Sequence, residues 1–112
     1  MISVDFDAVS NRGRWEEVFE LYDDAAEALV AIEEGDEVVF VLRRDGAVVI
    51  EARRSTGAVT TDGVGLLQVT ITEEQMRSLC PGQYAVGMTF EREGIVSQLV
   101  VGTVPVVDGV VS

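Results

Sequence analysis

Apolar and polar residues alternate along much of this chain, which is the pattern of strands with one buried face. Every second residue is apolar from 66 to 71, and again from 83 to 92. The segments 37–44 and 47–54 flank Asp45-Gly46. That dipeptide is typical of a type I′ turn, whose central residues need positive φ. The pattern therefore predicts two single strands and one hairpin.

The two ends of the chain are predicted to contribute further strands. Ile2, Val4 and Phe6 alternate with polar residues, which indicates a short strand. The apolar residues of 15–22 predict another short strand. The last strand is predicted over Ile95–Val107, after the turn signal Glu93-Gly94, with Pro105 confined to an edge or a strand end. For residues 25–34 the sequence allows either a helix or a short strand. Their apolar residues fit the spacing of a helix, and part of the segment fits a short edge strand.

One helical turn is predicted over residues 73–79. Thr72 precedes it as a candidate N-cap, and Gln75 occupies the third position of a capping box. The helix must stop before Pro81, because the residue before a proline disfavours helical backbone. Pro81 and Gly82 then predict a structural turn, and Tyr84 lies at the start of the next strand.

About seven short strands with frequent turns and one helical turn indicate an all-β sandwich. The length of 112 residues favours a single domain over 1–112, with 1–14 as an N-terminal arm or an extra strand. The predicted core residues come from the inward positions of these strands and from the turn: Phe40, Leu42, Val48, Ile50, Leu67, Val69, Ile71, Leu79, Tyr84, Val86, Met88, Val100 and Val104.

Charge excludes several functions. The chain has 8 basic and 20 acidic residues, every basic residue is Arg, and His is absent. Histidine bases, histidine metal ligands and lysine Schiff bases are therefore excluded, and an enzyme is not expected. A net charge of −12 argues against binding a nucleic-acid backbone. Most of that charge falls within residues 1–37, which suits a solvated surface, a basic protein partner or a DNA mimic.

No cofactor, metal or small-molecule substrate is expected. Cys80 is the only cysteine, and without a histidine to activate it a structural thiol is the expected role. Asp5, Asp7 and the acids of 33–37 have the carboxylate oxygens that calcium prefers, but they lack the spacing of an EF-hand loop. The start of the chain lacks the features of a signal peptide, and no apolar run is long enough to cross a membrane. Synthesis in the cytoplasm and no membrane contact are expected.

From Leu21 onward, over about 90 of the 112 residues, the order of elements resembles the immunoglobulin-like domains of tailed-phage virion proteins. The family meant is the type at the N-terminus of baseplate upper proteins. The matching elements are the acidic turn Asp23-Asp24, a segment ending at Gly35, the hairpin 38–52, the strand 66–71 with Thr72-Glu73-Glu74-Gln75, the stretch Leu79-Cys80-Pro81-Gly82-Gln83-Tyr84, and a final pair of strands. The resemblance implies an immunoglobulin-like sandwich. It also favours a short strand over 28–32 instead of the helix.

The resemblance implies a non-enzymatic structural subunit of a phage or phage-like particle, located in the virion. Its partners would be other virion proteins and further copies of itself. The alternative is an acidic DNA mimic or immunity-type inhibitor that binds a basic protein. The candidate interface residues are apolar side chains near the two termini and a possible aromatic patch, for which core packing is the competing interpretation: Ile2, Val4, Phe6, Trp15, Phe19, Val106, Val107 and Val110.

Overall fold

The computed structural model describes residues 2–20, 22–23, 28–29, 32–61 and 65–108. They form strands that pack as two sheets, with one short helix in the connection from the second sheet to the last two strands of the first. The elements in chain order are β1 Ile2–Asp5, β2 Val9–Ser10, β3 Trp15–Glu20, β4 Tyr22–Asp23, β5 Ala28–Leu29, β6 Glu37–Arg44, β7 Ala47–Arg53, β8 Val59–Thr61, β9 Leu66–Ile71, α1 Glu73–Arg77, β10 Gly82–Arg92 and β11 Ile95–Val107.

The first sheet has the order β1-β11-β10-β6-β7, and β2 also pairs with β11. The second sheet has the order β3-β9-β8, while β4 and β5 form a separate pair. In immunoglobulin-type sandwiches one sheet contains strands B, E and D and the other contains C, F and G. Here β3, β9 and β8 take the first set of positions, and β6, β10 and β11 take the second. The prediction of an all-β sandwich is confirmed, and the strand order is immunoglobulin-like.

The N-terminal segment belongs to the first sheet. β1 runs parallel to β11, with Ile2 opposite Val100 and Asp5 opposite Thr103. β2 then pairs with β11 further along, where Val9 lies opposite Val106. Of the two structures considered for residues 1–14, the extra strand is therefore present. Pro105 lies in the gap between these two pairings, where a residue without an N–H interrupts no bond to the N-terminal segment.

The hairpin of β6 and β7 forms as predicted. Asp45 has φ 54° and Gly46 has φ 79°, the positive values that a type I′ turn requires. The register shifts between Leu42 and Arg43, so that Ile50 lies opposite Leu42 but Val48 lies opposite Arg43. This irregularity places Val48 on the side of the first sheet that faces away from the core, where it is 47% exposed. The prediction of Val48 as a core residue is therefore wrong.

The other predicted core residues are buried between the two sheets. Phe40, at the centre of the first sheet, is fully buried, and its ring meets Trp15 of the second sheet edge-on with centroids 5.6 Å apart. Val38, Val59 and Met76 join the core beyond the predicted set. The alternation of the strands thus identified most of the core.

The helical turn is also confirmed. The Thr72 side chain accepts a hydrogen bond from the Gln75 backbone N–H, and the Gln75 side chain accepts one from the Thr72 backbone N–H. This reciprocal capping satisfies two donors at the start of α1. Met76 and Leu79 are buried, so the turn closes one end of the sandwich.

The open segment 25–34 contains the short strand β5 at Ala28–Leu29, with Ala28 opposite Asp23 of β4. Residues 24–27 and 30–31 lie outside the described part of the chain. Ile32 is buried but is not in a strand. The strand interpretation of 28–32 therefore holds for its first two residues. The sequence Thr60-Thr61-Asp62-Gly63 also predicts a turn, and its last two residues lie outside the described part of the chain.

Shortening a core side chain in β9 tests this arrangement. Leu67 is fully buried, so Leu67→Ala is expected to lower the free energy of unfolding by about 3 kcal/mol, from lost burial and a residual cavity. Urea titration followed by circular dichroism measures the loss. Thr60→Ala, at an exposed position of neighbouring β8, is the control and should change stability by less than about 0.5 kcal/mol. Equal effects of the two substitutions would contradict this core.

Candidate interaction surface

Tyr84 locks the corner at which the chain enters β10. Its ring is buried, and its hydroxyl donates to the carbonyl oxygen of Cys80 at 2.7 Å. A tyrosine at this position that bonds back to the preceding backbone is a hallmark of immunoglobulin-type sandwiches. The predicted structural turn at Pro81, Gly82 and Tyr84 is therefore a tyrosine corner.

Arg44, from the end of β6, completes this corner. Its guanidinium donates to the Tyr84 hydroxyl at 3.2 Å and reaches the carbonyl oxygen of Pro81 at 3.4 Å. Gly82 has φ 149°, and a Cβ at this residue would lie 2.9 Å from the guanidinium. Glycine is favoured here because any other residue is strained at this positive φ, and a Cβ would also displace the flexible guanidinium.

The structure places most sequence-predicted interface residues inside the sandwich. Trp15 and Val106 are buried, while Phe6, Phe19 and Val107 are half-buried. Phe6 meets the rings of Trp15 and Phe19 edge-on, at 5.7 and 6.2 Å. These aromatic residues form one cluster within the core, in agreement with the competing interpretation. The backbone of Ile2 and Val4 pairs with β11, and Val110 lies outside the described residues.

An ion pair fastens the opposite end of the sandwich. Asp36 precedes β6 and is buried, and both of its carboxylate oxygens accept hydrogen bonds from Arg92 at the end of β10, at 2.9 and 2.6 Å. The backbone N–H of Glu33 donates to the same carboxylate at 2.8 Å. The hydrogen bond from Arg92 is the main cause that lowers the pKa of Asp36 to about 2.

Two further side chains, Arg54 and Glu37, stabilise this end. The Arg54 guanidinium donates to the carbonyl oxygens of Glu33 and Asp36, each at 2.8 Å. The Glu37 carboxylate accepts from the backbone N–H of Val38 and Ser55, both at 3.1 Å. Burial acts to raise the pKa of Glu37, but these hydrogen bonds outweigh it and the pKa lies below its ordinary value. Buried charges at this end are thus paired or hydrogen-bonded, as stability requires.

The outer face of the first sheet is the surface that the sequence did not single out. Residues on this face alternate with the core residues of the same strands, and its middle is small and uncharged. Val41 is 9% exposed, and Gly87 beside it has no side chain. We call this surface the outer face; its middle consists of Val39, Val41, Ala85, Gly87, Thr89, Val101 and Thr103.

Charges mark the two ends of the outer face. At one end Glu37 of β6 lies directly opposite Glu91 of β10, and like charges in this position repel each other. At the other end Arg43 lies opposite Ala85, and its guanidinium reaches across to Gly87. In the described chain no acidic side chain pairs with Arg43. On β6 and β10 the face is therefore acidic at one end and basic at the other, while the edge strands add Asp5 in β1 and the ion pair of Glu51 and Arg53 in β7.

The alternation in 83–92 could have revealed this surface from the sequence. Its outward set contains Ala85, Gly87 and Thr89 in place of the charged residues usual on a solvated face. The register that puts Arg43 and Glu91 on the same face depends on pairing between strands about 40 residues apart in sequence. That pairing is not readable from local patterns.

Removing the Tyr84 hydroxyl tests the corner. Tyr84→Phe retains the buried ring but loses the bonds to Cys80 and Arg44, so the free energy of unfolding should fall by about 1 kcal/mol. Chemical denaturation measures the change. Thr60→Val, which removes an exposed hydroxyl, is the control and should be close to neutral. A neutral Tyr84→Phe would show that the hydroxyl bonds of the corner contribute nothing to stability.

The low pKa of Asp36 predicts acid sensitivity. The folded-state pKa of about 2 lies below the ordinary value of 3.8. The pair therefore contributes its full stability above pH 3.8 and loses it as the pH falls through about 2. Asp36→Asn should be less stable at neutral pH, and its stability should depend less on pH across this window. Denaturation curves between pH 2 and 5 measure this. Glu34→Gln, at an exposed neighbour, should keep the wild-type pH dependence.

Metal-ligand clusters and membrane helices are not part of the described structure. The described residues contain no group of three or more Cys, Asp or Glu side chains arranged to hold a metal ion. No helix among them has the length and apolar character needed to cross a membrane. The chain has no match among protein-family models, and no curated protein matches it. The function of the outer face is therefore inferred from its own geometry and charge.

Proposed function

We propose that this protein is a non-enzymatic structural subunit of a phage or phage-like particle, which acts by docking onto other virion proteins and further copies of itself. The observation that carries the docking role is the outer face of the first sheet. This face combines an uncharged middle with opposite charges at its ends, the features of a surface that covers another protein. The proposed location is the virion, after synthesis in the host cytoplasm.

The particle setting is supported by the sequence resemblance described above. The tyrosine corner and the strand order agree with the immunoglobulin-like fold that this resemblance implies. A fold alone does not determine function, so the setting needs its own experiment. Function has to be argued from a site and not from the fold, and the outer face is the site that makes docking the proposed mode of action.

A second candidate function is an acidic inhibitor, either a DNA mimic or an immunity-type protein, that binds a basic partner. It is favoured by the tip of the β10–β11 hairpin. Ile95 and Val96 are 70% and 61% exposed there, and Glu91 and Glu93 beside them are exposed. An apolar tip with acidic neighbours suits a basic protein surface.

Mass spectrometry of purified particles tests the proposed function. Phage-like particles from the source culture are banded by density and digested with trypsin. Cleavage after Arg14, Arg54, Arg77 and Arg92 gives peptides that identify the chain. Stoichiometric amounts of these peptides in the particle band are expected if the protein is a virion component.

The soluble fraction of the same culture provides the control. If the particle band lacks these peptides while the soluble fraction contains the protein, the structural role is wrong and the inhibitor becomes the better explanation. The inhibitor would then be sought through a basic protein that co-purifies with the soluble chain and dissociates as the salt concentration rises.

A further inference from the structure

We propose that the outer face of the first sheet binds the same face of a second copy of this chain, related by a two-fold axis perpendicular to the strands. The inference deepens the proposed function and rests on it, because a multi-copy subunit needs a contact between copies. Its evidence is the distribution of charge on the outer face and the small, uncharged residues in the middle of that face.

The first argument is charge complementarity. A two-fold rotation about an axis in the interface, perpendicular to the strands, sets β6 antiparallel to β6 of the partner copy. The axis passes at the level of Phe40 and Met88, midway between the Glu37–Glu91 pair and the Arg43–Ala85 pair. Arg43 of each copy then lies over the two glutamates of the other. An isologous contact of this kind forms twice.

The second argument concerns the charges at the two ends of the outer face in a single copy. Glu37 and Glu91 lie opposite each other in the register of β6 and β10, so two negative charges share this end of the face, and the Glu37 carboxylate is held there by the backbone N–H groups of Val38 and Ser55. Arg53 on the neighbouring strand offsets part of this charge, but it is already ion-paired with Glu51. Arg43 has an exposed guanidinium and pairs with no carboxylate in the described part of its own chain. The proposed contact brings a cation to a site with excess negative charge.

The third argument is the flat and small middle of the face. Gly87 lies between Val41 and Gln98, and a Cβ at this residue would be 3.4 Å from Val41 and 3.5 Å from Gln98. Val39, Thr89 and Val101 are half-buried around it. On β6, β10 and β11 the middle therefore carries no charged side chain, whereas the edge strand β7 places the ion-paired Glu51 and Arg53 beside Val41 and Val39. This arrangement is the usual anatomy of a protein interface.

The size of the face indicates how strong the contact is. Four strands about 4.8 Å apart and about 20 Å long cover about 400 Å² in each copy. Stable complexes bury about 800 Å² per partner. The dimer is therefore expected to be weak in free solution, with a dissociation constant on the order of micromolar, and to form fully at the high local concentration of an assembly.

Analytical ultracentrifugation of charge-reversed variants tests this contact. The full chain is measured over a range of concentrations and salt. Arg43→Glu and Glu91→Arg should each weaken dimerisation at least about tenfold, since each creates two like-charge contacts. The double variant R43E/E91R should recover it, and an equimolar mixture of the two single variants should form a heterodimer. A merely structural role of these side chains would produce no such recovery.

Matched controls separate the outer face from the rest of the surface. Arg14→Glu reverses an exposed arginine that pairs with Glu16 near β3, and it should leave dimerisation unchanged. Thr89→Glu places a charge in the middle of the outer face and should abolish the dimer, whereas Thr60→Glu on β8 of the other sheet should not. Circular dichroism confirms that each variant is folded.

The proposal is overturned if the wild-type chain stays monomeric at millimolar concentration. It is also overturned if Arg43→Glu dimerises like the wild type, or if the double variant fails to recover. These results would leave the particle measurement unaffected. Conversely, peptides absent from particles together with a confirmed dimer would reject the virion role and retain the contact.

Discussion

The packing of Phe40 against the second sheet is the contact on which the rest of this structure depends. Phe40 lies on β6, a central strand of the first sheet, and meets both Trp15 and Phe19 of β3. These rings bury a large apolar area and hold the two sheets face to face. Because one side of the first sheet packs in this core, its other side remains exposed as the outer face. The loops at the two ends of the sandwich are held by polar contacts instead.

Arginine fastens both ends. At the end nearest the helix, Arg44 binds the tyrosine corner and occupies the space above Gly82. At the other end Arg92 binds the buried Asp36, and Arg54 binds two backbone carbonyls. A planar guanidinium with five donors suits these sites, because it can satisfy several acceptors in a fixed arrangement. The absence of lysine from the sequence is consistent with this use of positive charge in structural contacts.

The outer face follows from the same constraint. In β6 and β10 successive side chains point to opposite sides of the sheet, and in the middle of these strands the residues that alternate with the core are small or uncharged. Val41 and Gly87 lie there side by side, with Arg43 at one end and the opposed Glu37 and Glu91 at the other. The proposed pairing of two copies would cover this face without burying an unpaired charge. It also gives a physical basis for a role in which several copies act together.

The sequence by itself determined the all-β class, the β6–β7 hairpin, the capped turn at Thr72 and nearly all of the core. Each of these depends on residues that are near one another along the chain: alternation, the turn dipeptide Asp45-Gly46, and the capping pair Thr72 and Gln75. Only the tertiary structure decided the outward position of Val48, the burial of Trp15, the pairing of Asp36 with Arg92, and the placing of Arg43 and Glu91 on one face. These features depend on strand register and on contacts between distant segments, which local patterns do not encode.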